Sequence, residues 1–214
     1  MKYTSIVVDY GHGGMIEGKY QTAGKQYTFT NYDDYWVGEG VLNRKSAAYL
    51  IRYALEAGVT VYDAVARKQW TTPPRWTQLE QEDTSLSSRV QYANGVPQRS
   101  GIYLSLHSNA IGDSSVGPSQ SARGVSFYTY FGQTGSDDIA SALSDSFKAV
   151  VYPSMPIRKN EEANFYVLKN TAGVAVLGES GFFTNISDAR FLDSVDGQQR
   201  IGRAYLEGVL PFLE

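Results

Sequence analysis

Two short apolar runs, each leading into a segment that contains a histidine, limit the folds open to this chain. The run at residues 5–8 ends in the glycine-rich turn 11–14, which holds His12, and the run at residues 102–106 leads directly to His107. These are the two histidines of the sequence. Short apolar runs bounded by turn residues are typical of buried strands, and parallel sheets place their ligand sites at the carboxyl ends of their strands. The pattern therefore predicts a parallel α/β sheet with both histidines at one edge.

The remaining apolar periodicity predicts helices that alternate with further strands. The helices are expected over residues 47–55, 86–94, 139–150 and 201–209, and the strands over residues 59–62, 124–130, 165–168 and 174–177. Loops are expected over residues 68–83, 108–123 and 154–164. A chain of 214 residues with 42% hydrophobic content can bury one substantial core. We therefore predict a single α/β domain over residues 1–214.

The segment from residue 15 to residue 38 has no sustained period and is rich in aromatic residues. A segment of this length between a strand and a helix is uncommon without a role, because binding surfaces often lie on long loops. Two interpretations are open at this point. The segment is either an ordered surface hairpin that packs on itself or one wall of a substrate groove.

Two acidic residues could join the histidines at the sheet edge. Extending the first long helix back to its start places Glu39 on the apolar face, where a carboxylate is costly unless it is paired or binds a metal. Glu179 follows the strand at residues 174–177, so it also lies near a carboxyl end. Structural roles remain open for both, because Glu39 could complement the helix dipole and Glu179 could cap a turn. Arg89 is interpreted as a solvated side chain rather than as the partner of a carboxylate near the site.

The sequence contains no cysteine, so a metal site would need imidazole and carboxylate ligands. Two histidines and one glutamate are a known catalytic zinc set that leaves a fourth position for water, and His12, Glu39 and His107 supply it. Glu179 is then the candidate for the group that takes a proton from water and delivers it to a leaving nitrogen. A histidine at a strand end is also common as a hydrogen-bonded structural residue. The convergence of all four residues at one sheet edge favours the metal site.

Several short motifs surround these four residues. They are residues 6–14 (IVVDYGHGG), Glu39 with Leu42-Asn43, residues 83–89 (DTSLSSR) with Ala93-Asn94, residues 105–110 (SLHSNA), Gly124-Val125, Val167-Leu168 and residues 178–185 (GESGFFTN). Together the motifs resemble those of the zinc-dependent N-acetylmuramoyl-L-alanine amidases of the type 3 family. The resemblance covers nearly the whole chain.

The resemblance implies a fold, a reaction and a set of site residues. The implied fold is three-layer α/β/α, with a twisted, mixed but mostly parallel sheet of about six strands. The implied reaction is hydrolysis of the amide between the lactyl group of N-acetylmuramic acid and the first L-alanine of the peptidoglycan stem peptide. One Zn²⁺ per chain would be held by His12, Glu39 and His107, with Glu179 as the catalytic acid and base. Asn109, Arg158 and Asn164 are our candidates for substrate contacts.

Three features depart from the family pattern. Tyr10 stands where a proline is usual, residues 62–67 lack the expected Thr-Arg, and the segment at residues 15–38 is longer than expected. These departures concern the shape of the groove rather than the reaction. Two alternatives remain: a zinc peptidase that cuts within the stem peptide, and a phage particle or surface component that binds peptidoglycan without cutting it.

Charge and hydropathy bear on partners and location. The formal net charge of -3, with scattered cations, predicts no nucleic-acid partner. We find neither a signal peptide nor a run of about 20 apolar residues, so we expect no membrane insertion. We expect a monomer, made in the bacterial cytoplasm and released to the cell wall, as a compact phage or prophage endolysin would be. A bacterial enzyme with non-classical export would look the same.

Overall fold

A computed structural model describes residues 3–80, 82–96, 101–111, 121–132 and 134–214. The strands are β1 (Ser5–Tyr10), β2 (Met15–Ile16), β3 (Lys19–Tyr20), β4 (Gln26–Phe29), β5 (Tyr35–Gly38), β6 (Thr60–Asp63), β7 (Lys68–Trp70), β8 (Gly101–Asn109), β9 (Val125–Thr129), β10 (Glu161–Glu162) and β11 (Ala175–Phe182). The helices are α1 (Glu39–Glu56), α2 (Trp76–Glu80), α3 (Leu86–Gly95), α4 (Gly135–Val150), α5 (Tyr166–Asn170), α6 (Ile186–Asp193) and α7 (Val195–Val209).

The described residues form one seven-stranded mixed sheet in the order β10-β9-β11-β8-β1-β6-β7. Its four central strands, β11, β8, β1 and β6, are parallel, whereas β7 runs antiparallel to β6 and β9 antiparallel to β11. The parallel arrangement brings the carboxyl ends of β1, β8 and β11 to one edge. His12, which follows β1, and His107, near the carboxyl end of β8, are therefore neighbours, as the sequence predicts.

Helices cover both faces of the sheet, because the central strands alternate apolar side chains between them. Ile6 and Val8 of β1 pack with α1, α4, α6 and α7 in the larger core, and Val7 packs with α3 and α5 in the smaller one. All six residues of β1 are buried, as expected for a central parallel strand. The predicted three-layer α/β/α architecture is confirmed.

Local predictions differ from the structure in several places, one of which is the two-residue strand β10 within the predicted loop at 154–164. Residues 166–170 form helix α5 rather than a strand, and the predicted loop at 68–83 contains β7 and α2. Strand β11 continues to Phe182, so Glu179 lies within the strand rather than beyond it. Helix α6 was not predicted. Much of the predicted loop at 108–123 lies outside the described residues. No helix in the described ranges has the length and apolarity to cross a membrane.

The close crossing of α1 and α7 provides a test of packing. A Cβ added at Gly202 would lie 2.7 Å from the backbone nitrogen of Leu50 and 2.8 Å from Cβ of Tyr49. We expect Gly202→Ala to lower the free energy of unfolding by about 1–3 kcal/mol, because the two helices must separate to admit the methyl group. Urea denaturation measures this change.

Gly95, the last residue of α3, is the matched control. A Cβ there would meet open space. Gly95→Ala should be neutral or stabilise by up to about 1 kcal/mol, because alanine has the higher helix propensity. Equal free energies of unfolding for Gly202→Ala and Gly95→Ala would contradict the packing interpretation.

Candidate active site

His107 and Glu179 are direct neighbours on adjacent parallel strands. They are register partners in the pairing of β8 with β11. Side chains alternate along a strand, so His107 shares a sheet face with Tyr103, and Glu179 shares it with Leu177. Tyr103 and Leu177 both pack in the smaller core with α3 and α5. The sheet therefore delivers an imidazole and a carboxylate to the same side of its carboxyl edge.

Glu39 enters the same place from the first turn of α1 and is 1% exposed. Its Oε1 lies 2.9 Å from Nδ1 of His107, and its Oε2 lies 3.2 Å from Nε2 of His12. Nζ of Lys25 lies 3.5 Å from Oε2. The carboxylate therefore faces three basic side chains that come from separate parts of the chain.

The turn after β1 holds His12 in an uncommon backbone conformation. His12 has a φ of 64°, in the left-handed region that non-glycine residues rarely adopt. Nη1 of Arg44 donates to the His12 carbonyl at 2.8 Å, and Nδ2 of Asn43 donates to the Gly11 carbonyl at 3.1 Å. A Cβ on Gly11 would lie 2.1 Å from the His107 ring, so glycine lets that ring pack against the backbone. Buried α1 residues thus fix both histidines relative to Glu39.

A buried ion pair supports the sheet face beneath the site. Nη1 of Arg89 donates to Oδ1 of Asp9 at 2.7 Å, while Oδ2 of Asp9 accepts from the hydroxyls of Tyr103 and Ser105. Nη2 of Arg89 donates to Asp83 at 3.0 Å. Burial raises the pKa of Asp9, but Arg89 and the hydroxyl donors outweigh this effect and keep the pKa below its ordinary value. Arg89 is 2% exposed, so its interpretation as a solvated side chain was wrong.

The surroundings shift the pKa values of the site in different directions. Burial favours a raised pKa for Glu39, but the neighbouring rings of His107 and His12 hold the pKa well below its usual range. Burial lowers the pKa of His12, whereas the pKa of His107 is raised because Glu39 outweighs burial. Burial raises the pKa of Glu179 to about 7. Glu39 is thus kept charged, while Glu179 can exchange a proton near neutral pH.

The ligand atoms of His12, Glu39 and His107 fit a metal ion. They lie within 4.8 Å of one another, and together they form a group that could hold such an ion. Oε2 of Glu39 and Oε2 of Glu179 are buried and make no hydrogen bond within the part of the chain described. Buried carboxylate oxygens without donors are costly, and a cation would offset that cost. The donor set of two imidazoles and one carboxylate also suits a catalytic divalent metal.

A groove of about 430 Å³ opens onto these residues. One wall carries Thr22 and Lys25, which belong to the segment at residues 15–38. The lining also includes the side chains of Leu86, Phe165 and Tyr166. His12, His107 and Glu179 lie along the same groove. A substrate in the groove would therefore contact the metal ligand group and Glu179 together.

Comparison with known proteins places the chain in a family. A profile of the N-acetylmuramoyl-L-alanine amidase family Amidase_3 matches residues 6–210. The chain belongs to this amidase family. Probable cell wall amidase LytH of Staphylococcus aureus is 26% identical over an alignment of 212 residues, and the match covers 96% of this chain and 57% of that protein. The chain thus spans a little over half the length of the curated relatives it matches.

Solved amidase structures share the fold. The N-acetylmuramoyl-L-alanine amidase from Clostridium difficile 630 aligns with a TM-score of 0.73 and 22% identity, over 99% of this chain and 97% of that one. The catalytic domain of the N-acetylmuramoyl-L-alanine amidase CwlV from Bacillus (Paenibacillus) polymyxa var. colistinus aligns with a TM-score of 0.71 and 20% identity, over 99% and 98% of the two chains. These similarities extend across the whole sheet and its helices.

The amidase fold brings the predicted metal ligands and Glu179 together, but it places the candidate substrate contacts elsewhere. Asn109, Arg158 and Asn164 are not among the residues that line the groove. Oδ1 of Asn109 accepts from the backbone of Ala110, and Arg158 lies over the ring of Phe182. A role for these three residues in substrate binding stays a prediction.

The sequence interpretation missed the groove position of Lys25. The segment at residues 15–38 folds into two hairpins, β2–β3 and β4–β5, and also supplies a groove wall. The two open interpretations of this segment are therefore compatible. No sequence periodicity marks Lys25, because the segment is positioned by long-range hydrogen bonds rather than by a regular pattern.

The Asp9–Arg89 pair yields a prediction about stability. Arg89→Ala would leave the buried Asp9 carboxylate without its counter-charge. We expect the free energy of unfolding to fall by about 3–5 kcal/mol, as measured by urea denaturation. Arg203→Ala is the control, because Arg203 is 68% exposed and pairs with Glu207 on the surface of α7. That variant should lose at most about 1 kcal/mol. Similar losses for both variants would contradict a structural role of the buried pair.

Proposed function

We propose that the chain hydrolyses the amide between the lactyl group of N-acetylmuramic acid and the first L-alanine of the peptidoglycan stem peptide. We propose Zn²⁺ as the cofactor, one per chain, held by His12, Glu39 and His107. The observation that carries the proposal is that two members of this ligand group, His12 and His107, line one groove together with Glu179. Membership of the amidase family supports the choice of reaction.

The metal and the protein would contribute different parts of the chemistry. Bound Zn²⁺ would lower the pKa of a water molecule to about 7 and polarise a carbonyl oxygen. His107 and His12 are aligned for binding by the Glu39 carboxylate between them. Glu39 is buried and the two histidines are half-buried, which limits the freedom of the ligand set, so little ordering would be needed on binding.

Glu179 is suited to move the proton. Its position beside His107 on the neighbouring strand places its carboxylate next to the ligand group. As a carboxylate, Glu179 would accept the proton of the attacking water. It would then donate that proton to the departing amide nitrogen, so that an amine rather than an amide anion leaves. The buried Oε2 has no hydrogen-bond partner among the described residues to compete for this proton.

The proposal also covers the domain organisation, the oligomeric state and the biological context of the chain. We propose that residues 1–214 act as one catalytic domain, as a monomer, on the peptidoglycan of the cell wall. A phage or prophage endolysin, made in the bacterial cytoplasm and then released, stays our prediction for its biological context.

The products of digestion test the reaction. We expect purified muropeptides to yield a glycan with a free lactyl carboxylate and a peptide with amino-terminal L-alanine, both identified by mass spectrometry. Chelator should abolish this cleavage and Zn²⁺ should restore it, because the ligand group would be empty without the ion. New amino termini within the stem peptide would instead identify a peptidase. Sedimentation with cell walls without any product would identify a binding protein.

Substitution of Glu179 tests the mechanism. Glu179→Gln keeps the shape of the side chain but removes the proton acceptor, so we expect kcat to fall by at least about 100-fold. The zinc content should stay at one per chain, because Glu179 is not a proposed ligand, whereas His107→Ala should lose both zinc and activity. Glu56→Gln, at the exposed end of α1, is the control and should keep full activity. Wild-type activity in Glu179→Gln would exclude this role.

A further inference from the structure

We propose that Lys25 selects substrates that carry a free carboxylate on the stem-peptide residue after L-alanine. This inference rests on the proposed function and adds a specificity residue to the same groove. Lys25 lies on the wall formed by the segment at residues 15–38, and its side chain is 43% exposed. The ammonium group therefore has access both to the ligand group and to a molecule in the groove.

Lys25 carries the available positive charge of this groove. Among the described lining residues, the other arginine or lysine is Arg89. Arg89 is already bound to two carboxylates, those of Asp9 and Asp83, and it donates to backbone carbonyls of Tyr10 and Thr84. Four of its five N–H donors are therefore engaged, and its side chain is only 3% exposed. The ion pair of Lys25 with Glu39 is longer, at 3.5 Å, and Glu39 is shared with both histidines.

The backbone around Lys25 is fixed to the site. The carbonyl of Lys25 accepts from the backbone nitrogen of Glu39 at 2.8 Å and from the hydroxyl of Tyr20 at 2.9 Å. The same Tyr20 hydroxyl accepts from the backbone nitrogen of Gly40. Nearby, Oγ1 of Thr22 accepts from the backbone nitrogen of Gly13 at 2.8 Å. These bonds anchor the base of the Lys25 side chain to the start of α1 and to the His12 turn.

Charge balance favours an anionic ligand for Lys25. A divalent ion held by Glu39 would share the negative charge that now faces Lys25 and would repel the ammonium group. A carboxylate of the substrate would then supply the counter-charge. Leu86, Phe165 and Tyr166, which also line the groove, carry no formal charge, and the carboxylate of Asp83 in the same lining would repel an anion. An anionic substituent next to the scissile amide is therefore directed to the Lys25 wall, whereas a carboxamide at the same position gains no ion pair.

Two matched substrates test the inference. They are N-acetylmuramoyl-L-alanyl-D-glutamate with its γ-carboxylate blocked as a carboxamide and its α-carboxylate free, and the same compound with the α-carboxylate also converted to a carboxamide. We expect the wild-type protein loaded with Zn²⁺ to show a kcat/KM about ten-fold higher for the acid, mainly through a lower KM, because a charge-assisted hydrogen bond is lost with the amide. Lys25→Met should reduce this ratio to near one, and Lys25→Arg should retain it.

Lys19→Met controls for the loss of one positive charge. Lys19 is exposed on β3 of the same segment and does not line the groove. Its substitution should leave the ten-fold ratio in place. The anchoring bonds of Lys25 use its backbone carbonyl, so Lys25→Met keeps them, and an unchanged circular dichroism spectrum and unfolding midpoint verify that the fold is retained.

Direct binding gives a second readout. In the Glu179→Gln background, calorimetry should show that Lys25→Met weakens binding of the acid substrate about ten-fold, for the same reason. Equal wild-type rates for acid and amide would overturn the inference alone, as would a ten-fold preference that persists in Lys25→Met. Failure of the wild-type protein to cleave either compound would instead overturn the proposed function.

Discussion

The carboxylate of Glu39 is the interaction on which the site depends. A charged group that is 1% exposed needs compensating partners, and Glu39 has His12, His107 and Lys25 within 3.5 Å. The backbone nitrogen of Glu39 is bound by the Lys25 carbonyl, so the same residue is fixed at its main chain and its side chain. The helix start, the two strand ends and the segment at residues 15–38 therefore meet at one residue.

A second set of buried polar residues fixes the positions of the β1 turn, helix α1 and the sheet relative to one another. Arg44, fully buried on α1, donates to the carbonyls of His12, Gly40, Leu79 and Glu82. On the opposite sheet face, Asp9 and Arg89 join β1 to α3. Buried charges of this kind are costly unless every partner is in place, which restricts the chain to one arrangement of turn, helix and sheet.

Sequence patterns predicted the features that depend on local periodicity. Apolar runs located the central strands, and the helical spacing before Leu50 indicated that Glu39 faces inward. The same reasoning failed for short segments, in which too few residues are present to distinguish a helix from a strand. The four-residue apolar run at 165–168 cannot distinguish a strand from a helical turn, and it packs as α5 against the sheet.

Contacts between residues that are far apart in the chain could not be predicted from the sequence. The partner of Arg89 is Asp9, 80 positions earlier in the chain, and no spacing rule connects them. The groove position of Lys25 depends on Tyr20 and on the start of α1 in the same way. The family motifs surround the four predicted site residues, but the segment that holds Lys25 departs from the usual length, so resemblance gave no indication of its role.

The four site residues are spread from position 12 to position 179, on the turn after β1, the first turn of α1, β8 and β11. No peptide cut from one half of the chain contains all of them, and no unfolded chain holds them close together. A chain break between residues 12 and 179 that releases one of the two fragments would therefore remove at least one of the four residues. Assembly of the four-residue site is therefore a property of the intact folded chain.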